Sequence, residues 1–429
     1  MKLKTVLIIS PNFPPFNAAD MHRVRMSLPY FADLGWNVEV VTVKPIHSEI
    51  IKDDLLVVSI PGHIKIHYVN AFSKKWTRFL GLGSIALRSF LFYRRKVNQL
   101  LKEHKYDLIY FSTTQFPLCV LGNYWKEKYG IPFIIDMQDP WHSNYYLDKP
   151  KSQRPRKYWF SYRLNKWLEP KAMNNVDGLI SVSDSYLTVL SQRYRHCSQI
   201  PQATIPFGSF ELDLEIALRN KNIFPSILKT SNKISIVYIG RGGYDMQKAV
   251  SLLFTAFSCL LKKQPGIYSR FHFYFIGTSY ATNGKASETI SPIAIQHEIK
   301  TYVTELTARI PFYQSLNTLA DADGLFIPGS DDPKYSASKV YPYVQVRKPL
   351  LAIFHRNSNV VDFLRNCKIG TIVTFSDSQT SIQESIEQFL LNIYNGLNFN
   401  TEPDCAVFEQ YSAKRMTEKQ CRLFDEVTL

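Results

Sequence analysis

The chain has 429 residues, 45% of them hydrophobic and 20% charged, so it is an ordinary globular chain long enough for two or three domains. Its net charge of +15 predicts an acidic partner: a phosphate-bearing substrate, an anionic membrane surface or nucleic acid. The six cysteines show no Cys-x-x-Cys spacing, which argues against a zinc site or a redox motif. The apolar stretches are too short for a membrane span or a signal peptide, so we expect a cytoplasmic protein.

Short apolar runs alternate with longer amphipathic stretches in the first half of the chain. The runs lack a two-residue alternation, which is typical of strands buried on both faces. Strands are predicted at 5–10, 38–43, 108–111, 133–136 and 179–182, and helices at 21–34, 86–104 and 116–129. Repeated strand–helix–strand units predict a parallel sheet with right-handed crossovers.

The same pattern restarts after Gly208. Strands are predicted at 234–239, 271–276, 325–327, 350–354 and 371–375, with helices at 247–263 and 293–307. We therefore predict an α/β fold of two Rossmann-like domains, in which ligands bind at the carboxyl ends of the strands. The predicted organisation is a first domain at 1–210, a polar linker at 211–231, a second domain at 232–400, and a helical tail at 401–429 that packs back across the domain boundary.

The loop after the first strand predicts an anion site in the first domain. Ala18 and Ala19 are small enough for a ligand to approach the turn closely. Arg23 and Arg25 follow in the first turn of a helix, where positive charge opposes the helix dipole. This misfit favours anion binding by at least one arginine, and the alternative is that both are solvated.

Two loops of the second domain predict a diphosphate site. The first follows a strand and contains Gly240, Arg241 and, farther on, Lys248; glycines allow close backbone approach, and the two cations attract phosphate oxygens. The second follows the strand at 324–328, where Ser336, Ser338 and Lys339 are predicted to open a helix. The alternative for this second loop is an ordinary serine N-cap.

In their order along the chain, these motifs resemble those of GT-B glycosyltransferases of the glycogen-synthase-like (family 4-like) group, which have two facing Rossmann-like domains. The similar segments are the Pro-Pro-x-x-Ala-Ala-x-x-x-Arg opening at 14–23, the Val-Asp-Gly-Leu-Ile-Ser-Val-Ser strand at 176–183, Ile-Pro-Phe-Gly at 205–208, Gly-Arg…Lys at 240–248, and Ser-Lys-Val-Tyr-Pro-Tyr…Lys-Pro at 338–349. The resemblance implies a hexosyltransferase-like enzyme (EC 2.4) that uses a nucleotide-diphosphate-sugar and needs neither a cofactor nor a metal.

By that resemblance, Arg241 and Lys248 hold the donor diphosphate and stabilise the leaving nucleotide. Further donor contacts are expected from the binding residues that the motifs share with the family: Gly240, Ser338, Lys339, Tyr343, Ala19 and Arg23. Pro342 stands where the family has its ribose-binding glutamate. This departure motivates an alternative, a catalytically inactive glycosyltransferase-like scaffold or partner subunit.

The segment Asp136-Met-Gln-Asp-Pro-Trp-His142 ends a predicted strand and resembles the Arg-Asp-Leu-Trp segment of sugar transferases that act on lipid-linked acceptors. Asp139 or His142 would then position an acceptor hydroxyl or take its proton, and Arg241 completes the expected catalytic set. The acceptor would be a glycan or a lipid-linked glycan in surface polysaccharide or glycolipid assembly. The alternative is that Asp139 caps a turn before Pro140 and His142 is an ordinary loop residue.

Basic and aromatic residues interleave at 74–96 and at 149–163. Such mixtures suit an anionic membrane surface, and they predict peripheral contact with the inner face of the plasma membrane. They also suit single-stranded nucleic acid, but no nucleic-acid-binding motif accompanies them, so we expect no nucleic-acid partner. A solvated charged face is the remaining alternative.

Overall fold

The computed structural model describes residues 3–77, 83–142, 144, 147, 150–151, 154, 158–228, 232–279, 286–332 and 338–429. The chain forms two compact units, Met1–Phe207 with Ala413–Leu429, and Gly208–Ser412. Each unit is a parallel sheet covered by helices, which confirms the predicted fold class of two Rossmann-like domains with a returning C-terminal helix. Within the described ranges, no helix is both long enough and apolar enough to span a bilayer.

The first unit is built on a seven-stranded parallel sheet, counted over its described residues. Its strands are β1 (Lys4–Ile9), β2 (Trp36–Val43), β3 (Lys65–Val69), β4 (Leu108–Ser112), β5 (Phe133–Met137), β6 (Gly178–Ser181) and β7 (Gln202–Thr204). Its helices up to this point are α1 (Met21–Ser27), α2 (Lys74–Thr77), α3 (Ile85–Glu103), α4 (Val120–Tyr129), α5 (Tyr158–Met173) and α6 (Asp184–Arg193). The strand order is β3-β2-β1-β4-β5-β6-β7, with the most deeply buried strands in the middle.

The second unit has a six-stranded parallel sheet in the described part of the chain. Its strands are β8 (Ile234–Ile239), β9 (Phe271–Ile276), β10 (Val303–Leu306), β11 (Gly324–Pro328), β12 (Leu350–Phe354) and β13 (Thr371–Thr374). Its helices are α7 (Glu211–Arg219), α8 (Gln247–Lys263), α9 (Pro265–Tyr268), α10 (Ser291–Gln296), α11 (Phe312–Asp321), α12 (Val340–Gln345), α13 (Asn359–Asn366), α14 (Gln379–Tyr394) and α15 (Cys405–Glu409). The strand order is β10-β9-β8-β11-β12-β13.

The last helix, α16 (Ala413–Val427), belongs to the first unit. The ring of Phe424 is fully buried and packs against Phe31, Trp36 and Tyr110, with centroid separations of 6.0, 5.4 and 5.0 Å. Aromatic pairs at these separations stabilise a core beyond their buried area. Helix α16 is therefore part of the hydrophobic core of the first unit.

Three local predictions are corrected by the structure. The stretch 293–307 is not one helix, because Glu298 adopts a left-handed conformation (φ 59°), after which a short 3-10 turn leads into β10. Residues 211–219 of the predicted linker form α7. The predicted helix at 21–34 stops at Ser27 and resumes as a 3-10 turn, which Gly35 closes with a φ of 86°.

Candidate functional site

The carboxyl ends of the parallel strands in the second unit bring four loops to one edge of the sheet. They follow β8, β9, β10 and β11. The amide of Gly242 donates to the carbonyl of Thr278 at 2.8 Å, which joins the first two loops. The amide of Asp331 donates to the carbonyl of Asp245 at 2.9 Å, which joins the first to the fourth. The predicted glycine-rich turn is thus held between its neighbours by backbone bonds.

Lys339 extends its ammonium group to the glycine-rich turn. A Cβ atom added to Gly240 would lie only 2.6 Å from Lys339 Nζ, so the absence of a side chain at Gly240 makes room for the cation. The ammonium makes no ion pair or hydrogen bond with any residue in the described part of the chain. Burial, then the charges of Arg309 and Arg241, lower the pKa of Lys339 from 10.5 to about 8.

Arg241 makes a two-point ion pair with Asp245. Its Nη1 and Nη2 atoms donate to Oδ1 and Oδ2 of Asp245, each at 2.7 Å. Burial raises the pKa of Asp245, but the bonds and charge of Arg241 outweigh it and leave that pKa below its usual value. A Cβ atom at Gly243 would collide with both partners, so this glycine permits the pair. Asp245 therefore fixes the orientation of the guanidinium while offsetting its charge.

The structure brings Gly240, Arg241 and Lys339 together, whereas Tyr343 and Lys248 have other contacts. Tyr343 is buried, and its hydroxyl accepts from the Ile239 amide at 2.7 Å and donates to the Ile239 carbonyl at 3.3 Å. It therefore braces the end of β8. Lys248 is exposed at the start of α8, with its ammonium 4.8 Å from the ring centre of Phe375.

The loop after β11 differs from the predicted helix start. The helix α12 begins at Val340, so Ser338 and Lys339 precede it, and Ser336 lies outside the described residues. Pro342 occupies the third position of α12, within the first turn, where a backbone N–H has no partner in the helix. The proline therefore removes no hydrogen bond from this helix.

Two residues of this edge were missed by the sequence reasoning. Asp245 was hidden because a loop acid next to glycines is an ordinary turn residue. Arg309 follows β10, and its Cα atom would lie 3.7 Å from a Cβ atom built on Gly277. It was missed because the strand preceding it was predicted as the end of a helix.

Arg23 in the first unit is a buried residue whose side chain bonds to other groups of the same unit. Only 2% of it is exposed, and its Nε donates to Asp136 at 3.0 Å. Its terminal nitrogens donate to the carbonyls of Pro206 at 3.0 Å and Ile205 at 2.5 Å. Arg25 is also buried, with Nη1 donating to Ser59 at 2.8 Å. The predicted anion role and the solvated alternative are both replaced by structural bonds, while Ala19 stays exposed before α1.

The predicted acceptor segment follows β5. Asp139 is exposed, whereas Trp141 is buried and stacks on Phe116 with ring centres 5.3 Å apart. His142 is partly buried, and its ring lies 4.7 Å from that of Tyr162. Its Nε2 atom is buried without a hydrogen-bond partner in the described part of the chain. Burial, followed by the charges of Arg193 and Lys166, lowers the pKa of His142, so the imidazole is neutral at pH 7.

A buried polar network at the same edge of the first sheet was not foreseen. Asp20 is 3% exposed and accepts from Asn12, Thr113 and Thr114 at 3.1 to 3.2 Å. Burial raises its pKa against the opposing effect of these bonds. Gln138 donates to Asp136 at 2.9 Å, which extends the network to the Arg23 pair.

Comparison with protein families gives one match. Residues 24–206 match the model of Glycosyltransferase Family 4. These residues form a glycosyltransferase family 4 domain. The matched range covers β2 to β7 and most of α1, so it includes the predicted acceptor segment after β5. Together with the fold, it confirms the recognition of a GT-B glycosyltransferase of the family 4-like group (EC 2.4). Comparison with the sequences of curated proteins gives no match.

Solved structures similar to this chain have the same two-domain fold over nearly their whole length. A UDP-forming trehalose-phosphate synthase from Burkholderia xenovorans superposes with a TM-score of 0.60 at 11% identity, covering 100% of both chains. Anabaena HepE in complex with UDP-glucose gives 0.58 at 15% identity, covering 97% of this chain and 98% of its own. WaaG, a glycosyltransferase involved in lipopolysaccharide biosynthesis, gives 0.53 at 14% identity, with coverage of 95% and 94%. At these identities the comparison establishes the fold.

Proposed function

We propose that this glycosyltransferase moves a sugar from a nucleotide-diphosphate-sugar to an acceptor hydroxyl, and that the second unit binds the donor diphosphate. The observation that supports the proposal is the position of the Lys339 ammonium. It lies against Gly240, and its pKa is lowered by burial and by the charges of Arg309 and Arg241. A lysine in this position opposes folding, because it is desolvated beside like charges. A pyrophosphate would supply the negative charge that the described surroundings of Lys339 lack.

The chemistry of donor cleavage explains why cations are needed at this edge. Negative charge develops on the leaving nucleotide diphosphate as the glycosidic bond breaks, and fixed cations lower the barrier by stabilising that charge. Arg241 is the proposed catalytic cation, because Asp245 already holds its guanidinium in one orientation. Lys339, Gly240 and Ser338 are the proposed donor contacts beside it. We expect no metal and no further cofactor.

The acceptor is assigned to the first unit. Asp139 is exposed, and the neutral imidazole of His142 could accept a proton from an acceptor hydroxyl once its buried Nε2 atom becomes accessible. The printed names of the similar structures support the finer assignment: HepE is complexed with UDP-glucose, and WaaG acts in lipopolysaccharide biosynthesis. We therefore propose a role in surface polysaccharide or glycolipid assembly on the cytoplasmic side, with UDP-sugars as the first donors to test.

The test is turnover of a panel of labelled nucleotide-sugars by the purified full chain, with product release and hydrolysis both measured. Arg241→Ala should lower turnover at least about a hundredfold while the circular dichroism spectrum is retained. Lys262→Met is the matched control, because Lys262 is an exposed cation of the same unit, paired with Glu298 at 2.9 Å. Transfer at the wild-type rate by folded Arg241→Ala would refute the proposed site. An absence of transfer, hydrolysis and nucleotide binding by wild type would favour the inactive scaffold that Pro342 suggests.

A further inference from the structure

Helix α5 has an exposed face of tryptophans and cations. Trp159, Arg163, Trp167 and Lys171 follow one another at intervals of four residues. Positions four apart on an α-helix lie roughly 40° apart around its axis, so these side chains form one row. Trp159 is 65% exposed and Trp167 60% exposed, which is unusual for the largest apolar side chain. The opposite face of α5 contributes Leu168, Ala172 and Met173 to the core.

The aromatic and basic residues of this row are in contact with each other. The Arg163 guanidinium lies 5.6 Å from the ring centre of Trp159, and the Lys171 ammonium lies 3.9 Å from that of Trp167. Each pair presents an apolar ring and a cation to the same side of the helix. Glu169 is the acidic residue of α5, but it is 1% exposed and forms an ion pair with Arg193. The exposed face of α5 therefore has positive charge without negative charge.

The neighbouring helix α4 has cation–aromatic pairs of its own. Asn123 of α4 donates to the carbonyl of Lys171, which fixes α4 beside α5. The ring of Tyr124 on α4 lies 4.3 Å from the Arg94 guanidinium and 5.4 Å from the Lys128 ammonium. Hydrogen bonds from Lys128, then Asn98 and Arg94, lower the pKa of Tyr124 to about 8. Cation–aromatic pairs thus occur on both of these adjacent helices.

We propose that α5, with its row Trp159, Arg163, Trp167 and Lys171, is the surface by which this chain docks on an anionic lipid bilayer. Charge complementarity identifies the occupant: the row has cations without exposed acids, and lipid head groups supply the negative charge. The indole rings suit the interface between head groups and acyl chains, where one side of the ring is apolar and the other wet. This inference is independent of the proposed donor site, because binding to vesicles needs no donor.

The experiment measures co-sedimentation of the full chain with vesicles at low ionic strength. Vesicles of phosphatidylcholine containing about one-third phosphatidylglycerol are compared with pure phosphatidylcholine. Wild type should bind the anionic vesicles and should dissociate as salt screens the charges. The double variant Arg163→Gln with Lys171→Gln should lower the partition coefficient about 30-fold, since each cation near the surface contributes about a fivefold factor.

Control variants distinguish vesicle binding through the exposed face of α5 from binding that depends only on the net charge of the chain. Lys414→Gln with Arg422→Gln removes the same charge from the exposed side of α16 and should change the partition coefficient less than about threefold. Trp159→Ala with Trp167→Ala should lower it at least about tenfold, whereas Tyr244→Ala, at an exposed aromatic residue of the second unit, should not. Quenching of tryptophan fluorescence by brominated lipid should disappear in Trp159→Ala with Trp167→Ala and persist in the α16 charge variant.

Three results would overturn the proposal. One is equal binding of wild type to neutral and anionic vesicles. Another is an equal loss of binding in the α5 and α16 charge variants, which would indicate net charge rather than a docking face. The third is tighter binding of a single-stranded oligonucleotide that displaces the vesicles, which would identify the face as a nucleic-acid surface.

Discussion

Replacing Lys339 with methionine should stabilise the protein while it abolishes turnover. Burial and two arginine charges lower the pKa of Lys339 from 10.5 to about 8, which corresponds to about 3 kcal/mol of unfavourable free energy for the charged form. Methionine has a similar length and no charge. Because the lysine is partly exposed, we expect a gain of about 1 to 3 kcal/mol in the free energy of unfolding at pH 7.

The sign of this effect depends on pH. At pH 7 the lysine is protonated in both folded and unfolded chains, so the full penalty is present. Between pH 8 and 10.5 the unfolded chain binds more protons than the folded chain, so wild-type stability rises with pH and the advantage of methionine shrinks. Urea unfolding of both proteins at pH 7 and pH 10 measures the difference, with Lys262→Met as the control. A loss of stability in Lys339→Met at pH 7 would refute the description of an unneutralised lysine.

Four further outcomes follow from the same contacts. With a pKa of about 8, the cationic fraction of Lys339 falls from roughly nine-tenths at pH 7 to roughly one-tenth at pH 9, so donor KM should rise over this range in wild type and stay flat in Lys339→Arg. Gly240→Ala should lower kcat/KM at least about tenfold, because the added Cβ would lie 2.6 Å from the Lys339 ammonium, and it should also lower the melting temperature, because the same atom would collide with the buried Tyr238 hydroxyl. Arg309→Gln should raise donor KM about fivefold or more through the lost positive charge. Arg23→Met should lower the free energy of unfolding by about 3 to 5 kcal/mol, because it leaves the carboxylate of Asp136 buried and unpaired.

Each of these outcomes has a contradicting result. A pH dependence of KM that persists in Lys339→Arg would assign the titration to another group. Wild-type kinetics in Gly240→Ala would mean that the position of the Lys339 ammonium is irrelevant to turnover. Unchanged donor KM in Arg309→Gln would exclude that arginine from the donor site. Wild-type stability of Arg23→Met would contradict the buried ion pair.

Buried strands were the most predictable part of the fold. The runs at 234–239, 271–276 and 350–354 have the predicted bounds, because central strands of a parallel sheet are apolar on both faces. The outer strands β3, β7 and β10 were missed. They are short and contain polar residues, and β10 was obscured by apolar residues at helical spacing before it. Helix α10 ends just before Glu298, a residue other than glycine in the left-handed conformation, so the sequence carries no glycine signal for this end.

Part of the proposed donor site was predictable from local sequence. A glycine-rich turn after a strand indicates a close approach, and Gly240 proves to lie against Lys339, 99 positions along the chain. Partnerships between distant side chains were not predictable. Arg23 was predicted to bind an anion, and the structure pairs it with Asp136 instead.

The most direct test is a crystal structure of the full chain grown with a nucleoside diphosphate, chosen from UDP, GDP and ADP by calorimetry. The donor assignment predicts electron density for both phosphates within hydrogen-bond distance of Lys339 Nζ and of the turn that contains Gly240 and Arg241. Density for the diphosphate at any other edge of either sheet, with Lys339 still unneutralised, would contradict it.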